Sequence, residues 1–230
     1  MTAIDPAARA QVHLIDHPLV QHKLTLMRRK HAQTREYMEM NALRGIVKDG
    51  AGTTLYNYFT EFGLAQISVD FVLGTAGTDV RAKCLEVKRH IEKNLKGEIM
   101  RSVRCEVSPE FYDKLTGHPK VEAAYANYVA AAERLGGDLR KGFTFGDIEF
   151  VEYLGEATSP SGSTVRFIPA GDGRAYPLGT VQTFKTYVAP ADFNETVGKL
   201  GQLYYAKIQE AKHGRGYDVH TQSNPLPLNQ

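Results

Sequence analysis

The sequence predicts an α+β fold. Three observations point to it. Stretches of helical period, clearest from Val80 to Leu95, are interspersed with stretches of period two such as Val103, Cys105 and Val107. No strand–helix–strand beat repeats along the chain, and the last third reads as strand and loop alone. No internal repeat or long low-complexity tract interrupts the pattern.

The elements follow in order. From Leu19 to Leu43 the chain reads as helix, with Leu24, Met27, His31, Tyr37, Met38 and Ala42 among helix-forming Lys, Arg, Glu and Met, and Gly45 marks its end. Ile46-Val47-Lys48 then meets the turn cluster Asp49-Gly50-Ala51-Gly52, a tight reversal before the aromatic stretch Thr53–Phe62. Ile67, Val69, Phe71 and Leu73 alternate with Ser68, Asp70 and Val72, which predicts a strand. After Gly74-Thr75-Ala76-Gly77, Thr78 or Asp79 caps an amphipathic helix. Its apolar face is Val80, Cys84, Val87, Ile91 and Leu95, its wet side Lys83, Glu86, Lys88, Arg89, Glu92 and Lys93, and Gly97 ends it.

Val103, Cys105 and Val107 make a short strand. Ser108-Pro109-Glu110 opens a short helix carrying Phe111, Tyr112 and Leu115, and His118-Pro119 starts another through Val121–Leu135, ended by Gly136-Gly137. Phe143-Thr144-Phe145 and Ile148-Glu149-Phe150 are two alternating arms around Gly146-Asp147, a hairpin. The polar loop Thr158–Ser163 precedes strand-like Val165–Ile168, and Ala170–Arg174 with Pro177-Leu178-Gly179 reads as a second loop before β-like Val181–Val188. Leu203–Gln209 and Tyr217–Thr221 are two strands joined across Lys212–Gly216. The tail Ser223–Pro227 is expected not to extend a ladder because of its prolines.

Composition bounds the function. A chain of 230 residues with 42% hydrophobic and 23% charged residues has matter for one domain or two small ones and is not disordered throughout. It lacks a run of roughly 18 apolar residues that would cross a membrane. A net charge of +2 does not by itself steer a protein to nucleic acid or to an acidic membrane. Cys84 and Cys105 form neither a CxxC pair nor a zinc spacing, so free, buried thiols in a reducing compartment are expected. Met1–Gln11 has no apolar core of a secretory signal, which implies synthesis in the cytosol.

Chemistry-bearing constellations are sparse. The histidines at 13, 17, 22, 31, 90, 118, 213 and 220 form no HExxH motif, and His17 and His22 are one residue too far apart for a ligand pair on one helix face, so no metal is expected. No GxSxG motif or Cys-His-Asn arrangement marks a nucleophile, and no catalytic residue or cofactor is assigned. Gly74–Thr78, placed between a predicted strand and a helix, is the most enzyme-like feature, since backbone N–H groups at a helix start can hold a phosphate. It lacks the lysine of a P-loop and reads more simply as a tight β-to-α turn. Tyr56, Tyr58, Phe59 and Phe62 read as core rather than as a stacking platform, because no basic residues interleave with them.

Two family resemblances complete the reading. Val12–Lys30 through Thr34-Arg35-Glu36-Tyr37 resembles the N-terminus of bacterial uracil phosphoribosyltransferases. That family binds phosphoribosyl pyrophosphate through two adjacent carboxylates and a Thr-Gly-Gly-Thr turn. Asp70-Phe71 and Thr75-Ala76-Gly77-Thr78 stand nearest to these here, and Phe71 cannot accept a hydrogen bond from a ribose hydroxyl.

From about Glu36 to Gln230 the chain resembles the lambda-type major capsid protein E family of tailed phages. The resemblance is carried in order by Glu36–Gly45, Glu61-Phe62-Gly63 before Val69-Asp70-Phe71, Lys83–Leu95, Phe111-Tyr112 with Leu115 and His118–Val121, Phe143–Gly146 to Tyr153, Ala189–Phe193 with Glu195–Val197, Leu203–Lys207 and Gln222–Leu226. It implies the tailed-phage capsid fold, with a peripheral domain (37–68 and 188–230) holding a spine helix at Lys23–Arg44, and an axial domain (69–187). Residues 1–36 would be a transferase-like segment leading into the helix. The family's N-terminal arm and extended loop are not recognisable.

The function so implied is a structural, non-enzymatic major capsid protein that self-assembles into an icosahedral head around double-stranded DNA. The alternatives are a truncated or fused capsid-derived protein that does not assemble, and an enzyme related to uracil phosphoribosyltransferase. The implied partners are copies of itself in hexamers and pentamers, scaffolding or decoration proteins, and packaged DNA, with no membrane. The implied location is the virion, after synthesis in the host cytoplasm. Pro190, Asp192 and Phe193 are the candidate subunit contacts, with Phe193 either an anchor between copies or part of the monomer core. Lys23, Arg28, Arg29, Lys30 and Arg35 either face DNA or form one solvated helix face.

Overall fold

The computed structural model describes residues 18–124, 143–159 and 162–229. In chain order its elements are α1 (Pro18–Ala42), β1 (Ile46–Lys48), β2 (Thr54–Asn57), α2 (Tyr58–Phe62), α3 (Val80–Asn94), β3 (Ser102–Val107), α4 (Pro109–Thr116), β4 (Phe143–Phe145), β5 (Ile148–Glu152), β6 (Glu156–Thr158), β7 (Thr164–Arg166), β8 (Gly173–Leu178), β9 (Phe184–Val188), β10 (Tyr205–Glu210), β11 (Tyr217–Gln222) and β12 (Pro225–Asn229). Residues 119–124 are also helical, and the remainder of the helix expected through Leu135, with its Gly136-Gly137 stop, lies outside the described residues. This is an α+β chain, as the interspersed periods predict.

The chain divides into two compact units: residues up to Glu39 with Thr186–Leu228, and Met40–Lys185 with Asn229. The stretch 40–68 thus groups with the middle of the chain.

The middle unit is built on a four-stranded sheet in the order β4-β5-β3-β8. β3 runs parallel to β5, while β4–β5 and β3–β8 are antiparallel. Alternation sends Val103, Cys105 and Val107 of β3 and Ile148 and Phe150 of β5 to one face, where they are buried. Val80 and Cys84 of α3, Tyr112 and Leu115 of α4, Phe71, Val121 and Phe143 complete that core, with Val87 and Ile91 packed at its margin. Phe71 meets Phe111 and Phe150 edge-on, with centroids 5.4 and 6.2 Å apart.

Local signals act where the sequence places them. Asp79 caps α3 through Oδ1, which accepts from Ala82 N at 3.1 Å. Ser108 caps α4 by accepting from Phe111 N at 3.3 Å, and the same oxygen accepts from Gly171 N at 2.9 Å. β4 and β5 reverse at Gly146 (φ 57°) and Asp147 (φ 64°), the positive-φ pair of a two-residue hairpin turn. A side chain at Gly146 would also put its Cβ 2.6 Å from Cys84 Cβ, so glycine is required there twice over. The Asp49 carboxylate closes the β1–β2 reversal by accepting from Ala51 N at 2.9 Å and Thr53 N at 2.8 Å.

The opposite sheet face is polar. Arg104 Nε donates to Glu149 Oε2 at 2.9 Å, and Tyr176 Oη donates to Glu106 Oε1 at 3.0 Å. Burial pushes the Glu106 carboxyl above its ordinary value of 4.5, against the pull of Tyr176 and Arg104. Cys84 and Cys105 are free and buried, and desolvation pushes both thiols up to about 12.

The other unit combines most of α1 with the C-terminal strands. β10 and β11 pair antiparallel over six residues, and β9 pairs with β12. His31 of α1 hydrogen-bonds Thr221 at 3.0 Å, and Arg28 stands 5.0 Å from the Tyr204 ring centroid.

Three expectations are corrected. Ile67–Leu73 is not a strand: nothing pairs with it among the described residues, and only Phe71 of the set is buried. Ala170–Gly179 is not one loop: Gly173–Leu178 is β8, an edge strand whose Pro177 needs no outward partner. The tail does enter a ladder as β12. Pro225 and Pro227 are two apart, so their missing donors lie on one edge, while Leu226 and Leu228 address the other. The aromatic stretch divides as well: Tyr58 is buried, whereas Tyr56 is 47% and Phe62 59% exposed.

Candidate functional site

The loop 189–193 leaves β9 and is clamped to the strand end that follows β11. Ala189 N donates to Asn224 O at 3.0 Å, Asn224 Nδ2 donates to Pro190 O at 2.8 Å, and Gln222 exchanges two hydrogen bonds of 3.1 Å with the Asp192 N–H and carboxylate. The Thr196 hydroxyl donates to Ala191 O and Phe193 O, closing a short 3-10 turn, Asn194–Thr196. At Gly201 the backbone passes so close to Val188 O that no Cβ fits. The loop is therefore a fixed projection, with Pro190 and Asp192 exposed on it.

Phe193 is half-buried and takes neither of its two expected roles in pure form. Its ring meets His220 edge-on at 5.6 Å and Tyr205 at 6.5 Å, and Lys207 Nζ stands 5.1 Å from its centroid. Lys207 also donates to Glu195 Oε1 at 2.7 Å, which holds that carboxyl below the usual range. These groups border an open groove of about 690 Å³, lined by Asp192, Phe193, Lys207, Asp218, His220 and neighbouring β10 and β11 residues. No sequence spacing announces it, because the groove joins a loop to a hairpin that begins a dozen residues later and only strand pairing brings them together.

The basic cluster does not form one face. At roughly 100° per residue, Arg28 and Arg35 share a side of α1, Lys23 and Lys30 share another, and Arg29 points between them. Arg28 lies over the Tyr204 ring and Arg35 Nε lies 3.5 Å from Glu39; Lys23, Arg28, Arg29 and Lys30 are exposed and Arg35 is half-buried.

The Gly74–Thr78 turn uses its polar groups internally. Thr78 N donates to Thr75 O and Thr75 N to Val72 O, while buried His118 donates from Nε2 to Thr75 O at 3.1 Å and Lys120 Nζ donates to Gly77 O at 2.7 Å. What it presents to the neighbouring helix is carbonyls, the wrong polarity for cradling a phosphate. Among the described residues no three His, Cys, Asp or Glu side chains are grouped to hold a metal ion, and no helix is long and apolar enough to cross a membrane.

The surface instead carries exposed apolar side chains. Val197 is 80%, Leu200 93%, Ile99 83% and Val181 87% exposed, and Phe62, Leu64 and Ile67 are each 59% exposed. Such groups suit adhesion.

The chain is similar to known proteins of two kinds. The sequence profile described as phage major capsid protein E matches residues 17–230. The major capsid protein of Pseudomonas phage KPP10 is 31% identical over 218 residues, 88% of this chain and 62% of the relative. That of Salmonella phage Felix O1 is 28% identical over 233 residues, 89% of this chain and 63% of the relative. The chain thus spans somewhat over three-fifths of the length of either. A uracil phosphoribosyltransferase of Delftia acidovorans is 72% identical over 29 residues, 13% of this chain and 14% of that enzyme. A solved structure described as a capsid protein of an E. coli CFT073 prophage covers 100% of this chain and 69% of its own, at 13% identity and a TM-score of 0.49.

Proposed function

The chain belongs to the phage major capsid protein E family, and from that membership we propose that it is a structural subunit that self-assembles into the shell of a phage head around double-stranded DNA. The profile match from residue 17 to 230 carries this reading. Its physical counterpart is a surface with exposed apolar side chains and, among the described residues, four two-stranded sheets with no further strand paired to their outer edges, features that a neighbouring copy would cover.

In this reading residues 37–68 and 188–230 form the peripheral-type domain with α1 as spine, and 69–187 the axial-type domain. The clamped loop with Pro190, Asp192 and Phe193 meets neighbouring copies in hexamers and pentamers, and its rigidity supports that role because a fixed projection loses little entropy on contact. Of the candidate cluster Arg28, Arg29, Lys30 and Arg35, the neighbouring Arg29 and Lys30 face DNA and bear most of the salt-dependent attraction, while Arg28 over Tyr204 and Arg35 beside Glu39 lie on another side of α1. Scaffolding or decoration proteins are further partners, and the virion, after synthesis in the host cytoplasm, is the location.

Electron microscopy and analytical sedimentation of the purified chain test the proposal. Regular shells or capsomers are expected. A protein that stays monomeric under all conditions would identify a capsid-derived chain that does not assemble, and uracil-dependent consumption of phosphoribosyl pyrophosphate would identify an enzyme; either overturns it.

A further inference from the structure

Two connectors meet at one end of the four-stranded sheet. β3 and β8 are antiparallel neighbours with Ser102 opposite Leu178, so the chain entering β3 from α3 lies beside the chain leaving β8. Arg101 N donates to Leu178 O at 2.8 Å and carries the ladder one residue further. Glu98 ties the connectors together: its carboxylate accepts from Val181 N at 3.2 Å, Gln182 N at 2.7 Å and the hydroxyl of buried Thr183 at 3.0 Å. Both connectors turn through left-handed backbone, at Lys96 (φ 48°), Gly97 (φ 98°) and Gly179 (φ 83°). The Arg101 stem lies over Gly179 so closely that a Cβ there would stand 2.8 Å from its Cγ. The surface is therefore fixed before a partner arrives.

What this surface shows to water is apolar and basic. Ile99 is 83% and Val181 87% exposed. Lys96–Arg101 and Leu178–Lys185 hold three cations, Lys96, Arg101 and Lys185, against one acid, Glu98, which is already engaged by the three donors of the opposite connector. Among the described residues none of the three cations meets a carboxylate, and Lys185 donates to the neutral side chain of Gln182 at 2.9 Å. The backbone amides of Ile99 and Met100 make no hydrogen bond to any described residue. The countercharge, the apolar cover and the acceptors for these amides are all missing from the same place.

We propose that this end of the sheet is a docking surface for an acidic polypeptide segment that carries aliphatic side chains. Its carboxylates answer Lys96, Arg101 and Lys185, its aliphatic groups cover Ile99 and Val181, and its carbonyls accept from the amides of Ile99 and Met100. Nucleic acid fits less well, because a phosphate backbone has no apolar group to lay over two aliphatic side chains. The inference goes beyond shell formation and stands whether or not copies of the chain assemble.

Fluorescence anisotropy on the full chain tests it with labelled probes: a soluble peptide of about twelve residues rich in glutamate and leucine, its counterpart with glutamine for glutamate, and a short DNA duplex. The acidic peptide is expected to bind, more weakly as salt rises, and the glutamine peptide to bind about tenfold more weakly still. Ile99→Ser with Val181→Ser, and separately Lys96→Glu with Lys185→Glu, should each weaken the acidic peptide by about tenfold or more. None of the four side chains is buried, so thermal melts of these variants should match the parent. Absence of binding, equal binding of the glutamine peptide, tighter binding of DNA, or an affinity untouched by both pairs of substitutions overturns the proposal. Sedimentation of the same variants detects a different occupant: if both pairs abolish self-association that the acidic peptide does not compete away, a second copy covers the surface and the proposal falls. A chain that binds the peptide here and never forms shells would defeat the capsid reading and leave this one standing.

Discussion

At the scale of single residues, the informative positions are buried polar ones. Glu106 is 8% exposed, and burial raises its carboxyl above the ordinary 4.5, so the fold favours its protonated form. The stability this preference contributes is fully present below about 4.5 and is lost as pH rises through the raised value. Glu106→Gln keeps an acceptor for the Tyr176 hydroxyl without the charge. The variant should therefore melt above the parent at neutral pH, with the gap closing as pH falls toward 4.5, in thermal melts across that range. A gap that widens on acidification would mean that the pull of Arg104 outweighs desolvation. The sequence gives no hint of this, because Glu106 becomes buried only when Tyr176, seventy positions away, covers it. Cys84 and Cys105 differ in this respect: their lack of any pairing pattern already marks them as free thiols.

At the scale of elements, local grammar was legible wherever a helix or turn carries its own stop and start. α4 is the clearest instance, since Ser108-Pro109-Glu110 gives a cap, a first-turn proline and an acid at the positive helix end. Ser108→Ala removes the acceptor of Phe111 N and Gly171 N inside a fully buried site. A loss of about 1–3 kcal/mol is expected by chemical denaturation, with the upper part of the range coming from the amide of Gly171 left unpaired. Strands were less legible, because a ladder needs a partner that local sequence does not name. Pro177 and the two prolines of the tail argue against strands, yet β8 and β12 form because edge positions need donors on one side only. Ile67–Leu73 errs in the other direction, carrying a strand's alternation with no described strand beside it.

At the scale of the whole molecule, burial is unevenly shared. The main core of Phe71, Val80, Val103, Leu115, Ile148, Phe150 and their neighbours belongs to Met40–Lys185, whereas in the other unit the buried apolar side chains among the described residues are few, chiefly Tyr37, Met38 and Ala191 with Pro225 and Pro227. Two-stranded sheets with little apolar cover are marginal in water. In separated subunits, amides of β9–β12 should therefore exchange faster than those of β3 and β5, and should gain most protection when particles form. Equal protection in separated subunits would show that the C-terminal strands are stable without neighbours.

The candidate contact region shows the same division. Pro190, Asp192 and Phe193 were legible as a stiff loop with an aromatic neighbour, but Lys207 and His220, which complete the groove, were not. Likewise the run Arg28, Arg29, Lys30 and Arg35 was legible as basic, while helical rotation and the contacts with Tyr204 and Glu39 decide which charges remain for a partner. By itself the sequence determined the α+β class, the caps and tight turns, and the family, because these depend on residue order over a few positions or on many ordered matches. Tertiary structure alone decided which strands find partners, which acid is buried and which apolar side chains stay in water, because those depend on surfaces that distant segments share.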